Sequence, residues 1–200
     1  MFSKEARIFI DALKQASSQI GEVYFHPKVA VPGKSPYRLR LWRERVYCYE
    51  LYHQLRVSLA AKEITSGMAP YFIFGEMDKA GHPALKGTRF APKPDFIFHH
   101  PGKSGSSNNV AVVEVKTILA SDNRRVLCKS LETLCKTQKM LDYQLALIYV
   151  FGYENDDPEV FRWLIKTITA MKNNRLHIVW HKEVKTPAKF LCGWHDHGDT

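Results

Sequence analysis

Pro94-Asp-Phe-Ile-Phe98 and Val110-Ala-Val-Val-Glu-Val-Lys116 are the two stretches that decide how this chain is read. Both are rich in aromatic or β-branched residues, the composition of strands packed in a core. Between them lies His99-His-Pro-Gly-Lys-Ser-Gly-Ser-Ser-Asn-Asn109, short and Gly/Ser-rich, the chemistry of a hairpin tip. Asp95, Glu114 and Lys116 interrupt the apolar pattern. Asp and Lys are depleted in strands, and charges are seldom buried unless paired or metal-bound. In an antiparallel hairpin, residues with equal position sums face one another. The pair 95 and 114 is centred between Ser104 and Gly105, in the middle of the tip. Asp95 and Glu114 should therefore stand side by side with Cβ atoms about 5 Å apart. Period-two alternation puts Lys116 on the face of Glu114.

Two carboxylates so close repel unless a cation lies between them, or one keeps its proton at a raised pKa. A hard divalent ion with oxygen ligands is the economical solution, and Mg²⁺ typically takes one or two carboxylates plus water and phosphate. A lysine beside such an ion can orient an attacking water and offset charge on a phosphate, which suits phosphodiester hydrolysis. A third acid joins this set. Val46, Glu50, His53, Val57, Ala60 and Ile64 fall at alternating spacings of three and four, so Glu50 is expected on a core-facing helical stripe, where it needs a partner.

Outward from the hairpin, the periodicity gives an α/β layered domain with a mixed sheet. A helix is expected from about Ser3 to Ile20, stopped by Gly21, then an extended piece from Glu22 to Val31. Ser35 as cap and Pro36 at the first helical position open a long helix to about Thr65. Tyr71–Glu76 reads as a strand, Val126–Tyr143 as a helix and Leu145–Phe151 as a strand buried on both faces. Pro158 opens a helix to about Met171, and Leu176–Trp180 is a last strand. The expected organisation is an N-terminal helix and extended arm packed on the core (1–33), a main domain (34–190) and a tail (191–200).

Lys plus Arg number 29 against 20 Asp plus Glu, a net charge of +9 over 200 residues. That excess favours a polyanionic partner, nucleic acid before anionic membrane. No apolar run approaches the ~20 residues of a membrane helix, and the charged N-terminal pattern is not that of an export signal. No membrane association is expected, and the cytoplasm is the expected compartment. The four cysteines lack CxxC spacing and read as reduced thiols. Lys86, Arg89 and Lys93, in the run-up to Asp95, are the first candidates for phosphate contact. A second group is Lys34, Arg38, Arg40, Arg43 and Arg45, with tyrosines and Trp42 interleaved. Glu76 either lies near the metal or belongs to a solvated turn with Asp78. His195 and His197 read as a solvated tail rather than a metal site.

Pro94-Asp95, then Glu114-Val-Lys116 after eighteen intervening residues, resembles the PD-(D/E)xK nuclease superfamily with its restriction-endonuclease-like fold. Tyr47-Cys-Tyr-Glu50-Leu-Tyr-His53 is similar to that superfamily's upstream acidic helix, and the element order matches its αβββαβ core with a central mixed sheet flanked by helices. The resemblance implies Mg²⁺ (or Mn²⁺) held by Asp95 and Glu114, with the carbonyl of Val115 as a further ligand. Lys116 would position the water and Glu50 would hold the metal or its waters. It implies a nuclease, with DNA the expected substrate and restriction, defence or DNA processing the expected setting. A homodimer or partner subunit would complete a double-strand cut. The rivals are a catalytically idle nucleic-acid-binding subunit on the same fold and a nuclease acting on RNA.

Overall fold

The computed structural model describes residues 2–27, 43–66, 71–77, 83–118, 124–152 and 159–192. Helices α1 (Lys4–Gln19), α2 (Glu22–Phe25) and α3 (Glu44–Ser66) precede strands β1 (Phe72–Gly75), β2 (Phe96–His99) and β3 (Asn109–Thr117). Then come α4 (Arg124–Leu141), β4 (Leu145–Phe151), α5 (Glu159–Ala170), β5 (Leu176–His181) and β6 (Lys189–Cys192). The strands form one mixed sheet in sequence order, β1 to β6. β1, β2 and β3 are antiparallel, β3, β4 and β5 parallel, and β6 returns antiparallel to β5. The α/β class and the mixed sheet are as expected.

Both sheet faces are covered. On one, Phe9 and Leu13 of α1 and Leu51 and Leu55 of α3 pack on Val113, Val115, Tyr149 and Phe151. On the other, Leu131 and Leu134 of α4 and Leu164 of α5 pack on Val112, Ile148, Val150 and Ile178. Covering both faces is what allows β4 to be apolar at every position. Ser3 caps α1, its Oγ accepting the Ala6 N–H at 3.1 Å. α1 shares one buried core cluster with α3 and the sheet.

Three expectations are corrected. Glu22–Phe25 is a single helical turn rather than extended chain, because Phe25 turns inward to stack edge-on with Tyr47 and Phe151. The sheet gains β6, which carries it to Cys192, two residues into the stretch expected to be tail. The buried stripe of α3 is Tyr47, Cys48, Leu51, Leu55 and Leu59, not the stripe that holds Glu50. Val46 and Val57 are 37% and 54% exposed, and His53 and Ala60 are exposed too. The physical reason is size: the bulkier row fills the layer against α1 and the sheet, and the helix turns accordingly. The side chain of Ile64 lies outside the described residues, as do Ser35 and Pro36. Among the described residues the helix begins at Glu44, and no helix is long and apolar enough to cross a membrane.

Candidate functional site

β2 and β3 meet in the expected register. Phe96 pairs with Val113, Ile97 with Val112 and Phe98 with Ala111, which carries Asp95 opposite Glu114. At this point β2 ends and β3 continues for three residues, still paired on its other edge with Tyr149, Val150 and Phe151 of β4. A notch is left where β2 would have gone on. Buried backbone groups need partners, and at Val115 side chains supply them. Its N–H donates to Asp95 Oδ2 at 2.7 Å, and its carbonyl accepts from Lys116 Nζ at 2.8 Å.

Lys116 is only 9% exposed, so its ammonium must be matched. It lies 3.0 Å from Glu114 Oε1 and 3.3 Å from Glu44 Oε1. Glu44 stands in the first turn of α3, where the positive end of the helix dipole favours an acid. Glu114 is the one residue of β3 that keeps partial contact with solvent. The notch therefore gathers three carboxylates and one ammonium, a net negative cluster at the opening of a buried strand.

The electrostatics follow. Burial, then the Glu114 and Glu44 charges, push the Asp95 carboxyl up to about 7 against the pull of the Val115 N–H and Lys116. Burial also raises Glu114, with Glu44 adding to it, although Lys116 acts the other way. Burial works against the Lys116 charge, but Glu114, Glu44 and Asp95 outweigh it and hold its pKa above the ordinary lysine value. One ammonium is too little compensation for this cluster.

Of the residues singled out in the sequence, Asp95, Glu114, Val115 and Lys116 come together. Glu50 does not join them. It sits six residues beyond Glu44, about 9 Å along the helix axis, half-buried, and its Oε1 accepts from Gln54 Nε2 at 2.7 Å. Glu44 is the acid that sequence reasoning passed over: spacings of three and four lead from Glu44 through Tyr47 or Cys48 to Leu51 and Leu55, but the row through Glu50 follows the same spacings. Glu76 belongs to a turn. Its carboxylate lies 3.4 Å from Lys93 Nζ and 3.9 Å from Arg45 Nε, and it is exposed. Its N–H bonds the Asp95 carbonyl at 2.9 Å, and its φ of 45° turns the chain away as β1 ends. Lys86, Arg89 and Lys93 are all exposed in the stretch before Asp95, and Arg43 is exposed just ahead of α3. Lys34, Arg38, Arg40, Asp78, His195 and His197 lie outside the described residues.

The donor set is all oxygen: two adjacent carboxylates, a strand carbonyl and a third acid behind Lys116. Among the described residues no three His, Cys, Asp or Glu side chains are grouped so as to hold a metal by themselves. A cation here would take one or two protein carboxylates and complete its shell with water. That is the habit of Mg²⁺ or Mn²⁺, whereas protein zinc sites usually include nitrogen or sulfur ligands. Uncompensated negative charge and hard donors both fit such an ion. No family model, curated protein or solved structure matches this chain.

Proposed function

We propose that the chain is a divalent-metal-dependent nuclease of the PD-(D/E)xK type, hydrolysing phosphodiester bonds, with DNA as substrate. The elements α3, β1, β2, β3, α4 and β4 run in the αβββαβ order of a restriction-endonuclease-like core, which supports the reading. The observation that carries it is the net negative Asp95, Glu114 and Glu44 cluster gathered around the nearly buried Lys116 at an open strand end.

Asp95 and Glu114 would hold Mg²⁺ or Mn²⁺, with the Val115 carbonyl within reach. The bound ion would supply Lewis acidity toward a phosphoryl oxygen and would make a bound water more acidic than bulk water. The chain's own contributions are more specific. The Val115 N–H fixes the Asp95 carboxylate, and Glu44 holds the Lys116 ammonium from the helix side. Lys116 thus presents a fixed positive charge beside the carboxylate pair, where it can meet negative charge as that charge develops on a phosphate. Lys86, Arg89 and Lys93 supply phosphate contacts before the site.

The test is incubation with supercoiled plasmid, single-stranded DNA and RNA, in Mg²⁺, Mn²⁺ or EDTA. Cutting in either metal and none in EDTA is expected, with DNA preferred. Binding should weaken steeply with salt, and replacing Lys86, Arg89 and Lys93 together should flatten the slope of log affinity against log salt by up to about three units. Binding without cutting in any divalent metal would favour an idle recognition subunit.

A further inference from the structure

A groove of about 210 Å³ opens from the candidate site on the α4 side of the sheet. Val112 and Glu114 of β3 form its floor, Pro92 and Pro94 one wall, and Lys129 and Thr133 of α4 the other. Ser130 adds a hydroxyl along α4, whereas Thr137 is buried and donates its hydroxyl to the Thr133 carbonyl at 2.8 Å; Lys93 stands at the opposite rim. Glu114 belongs both to the groove and to the carboxylate cluster. It is also the groove's one acidic lining residue among the described residues. Lys129 and Lys93 are exposed, and Lys129 has no ion pair among the described residues. Further along α4, Lys136 lies over the ring of Phe90 at 4.3 Å from its centroid, bracing the stretch before Asp95 against the helix.

These groups describe one kind of occupant. Lys93, Lys129 and the half-buried Ser130 and Thr133 side chains can meet phosphate oxygens, while the edges of Pro92 and Pro94 offer a small apolar contact for a sugar ring. The volume is below the roughly 300–1,000 Å³ of pockets that hold drug-sized molecules. It admits one backbone unit and excludes a base pair. We infer that this groove seats the sugar-phosphate unit next to the scissile phosphate on the strand being cut, with Lys129 as its phosphate contact. α4 then forms a second nucleic-acid-binding wall, facing Lys93 across the groove. The inference rests on the nuclease reading for the identity of the strand, but its test does not require cutting.

The test measures binding of a fluorescein-labelled single-stranded DNA oligonucleotide to the parent chain in EDTA, across a salt series. Lys129→Ala should weaken binding roughly five- to tenfold near 0.1 M salt and flatten the log–log slope by about one unit. Lys129→Arg should restore both. Lys139→Ala removes the same charge from the exposed last turn of α4, away from the groove lining, and should change neither. Thermal melting checks that each variant is folded. In a chain that cuts, Lys129→Ala should raise KM and leave kcat nearly unchanged, because the contact is present before and during reaction. Equal losses for Lys129→Ala and Lys139→Ala would overturn the groove, as would no loss for either or no DNA binding by the parent. A Lys129-specific loss in a chain that never cuts would keep the groove and overturn the nuclease reading.

Discussion

Glu44 and Tyr47 stand one turn apart on α3 and end in opposite kinds of polar cluster. Tyr47 is fully buried, and its hydroxyl hydrogen-bonds Tyr149 Oη at 2.8 Å and His181 Nδ1 at 2.6 Å. Its ring stacks on Phe151 with centroids 3.7 Å apart. Burial raises Tyr47 and Tyr149 far above ordinary tyrosine and lowers His181 to about 4, so all three stay neutral at physiological pH. Glu44 reaches instead into a cluster that burial makes unstable in its charged form and that one lysine cannot neutralise. A buried neutral network of this kind holds its members in place, although His181 Nε2 has no hydrogen-bond partner among the described residues. A half-buried cluster with excess charge of one sign costs stability and is a functional-site candidate. The two should respond to substitution in opposite ways.

The largest expected effect is at the charged cluster. Asp95→Asn and Glu114→Gln should each lower the cutting rate by about 10³-fold or more, since several kcal/mol of metal-derived stabilisation are lost. Neither should lower the melting temperature, because each removes a charge that burial disfavours. Rates and melting curves on the same preparations check both halves. A strongly destabilised Asp95→Asn chain would make the cluster structural.

The neutral network should show the reverse. Tyr47→Phe leaves Tyr149 and His181 without their shared partner and should cost about 1–3 kcal/mol of folding free energy. Cutting by the folded chain should stay at the parental rate. Denaturant titration beside a cleavage assay decides this.

His181 adds a pH dependence of fixed sign. Its folded pKa of about 4 lies below the unfolded value near 6.5. The unfolded chain therefore takes up a proton first as pH falls. The contribution is complete above about pH 6.5 and is lost toward pH 4. Between about pH 7.5 and pH 5 the parent should lose roughly 2 kcal/mol through this residue. His181→Asn should flatten that part of the profile, and an unchanged slope would assign it elsewhere.

The smallest effect separates two acids on one helix. Glu44→Gln should reduce activity or metal affinity by about tenfold, the scale of losing a group that orients the reacting residues. Glu50→Gln should change neither. Titrating Mn²⁺ against both variants distinguishes them, and the reverse order would return the role to Glu50.

The contrast between Glu44 and Glu50 also marks where the sequence stopped being legible. The Asp95–Glu114 register could be read because two apolar strands flank one short Gly/Ser tip, and any slip would turn Val113 and Val115 out of the core. α3 offered two apolar rows instead. Val46, Val57 and Ala60 follow helical spacing as well as Tyr47, Leu51 and Leu55 do. Only packing against α1 and the sheet chooses between them. β6 was missed for a related reason. Lys189-Phe-Leu-Cys192 is four residues long and becomes a strand by pairing with β5. The side chain of Glu44 cannot be placed until the helix rotation is known, so the sequence points to Glu50, six residues further along α3, in its place.

The most direct test is a paired measurement on one DNA substrate: cutting rate in Mg²⁺ and binding affinity in EDTA, for the parent and Lys116→Ala. The account predicts a rate loss of about 10²-fold or more, the scale of losing one preorganised electrostatic donor. It predicts little change in affinity, since one phosphate contact among many carries a small share. A parent that binds DNA and cuts in no divalent metal, or a Lys116→Ala chain that cuts at the parental rate, would contradict it.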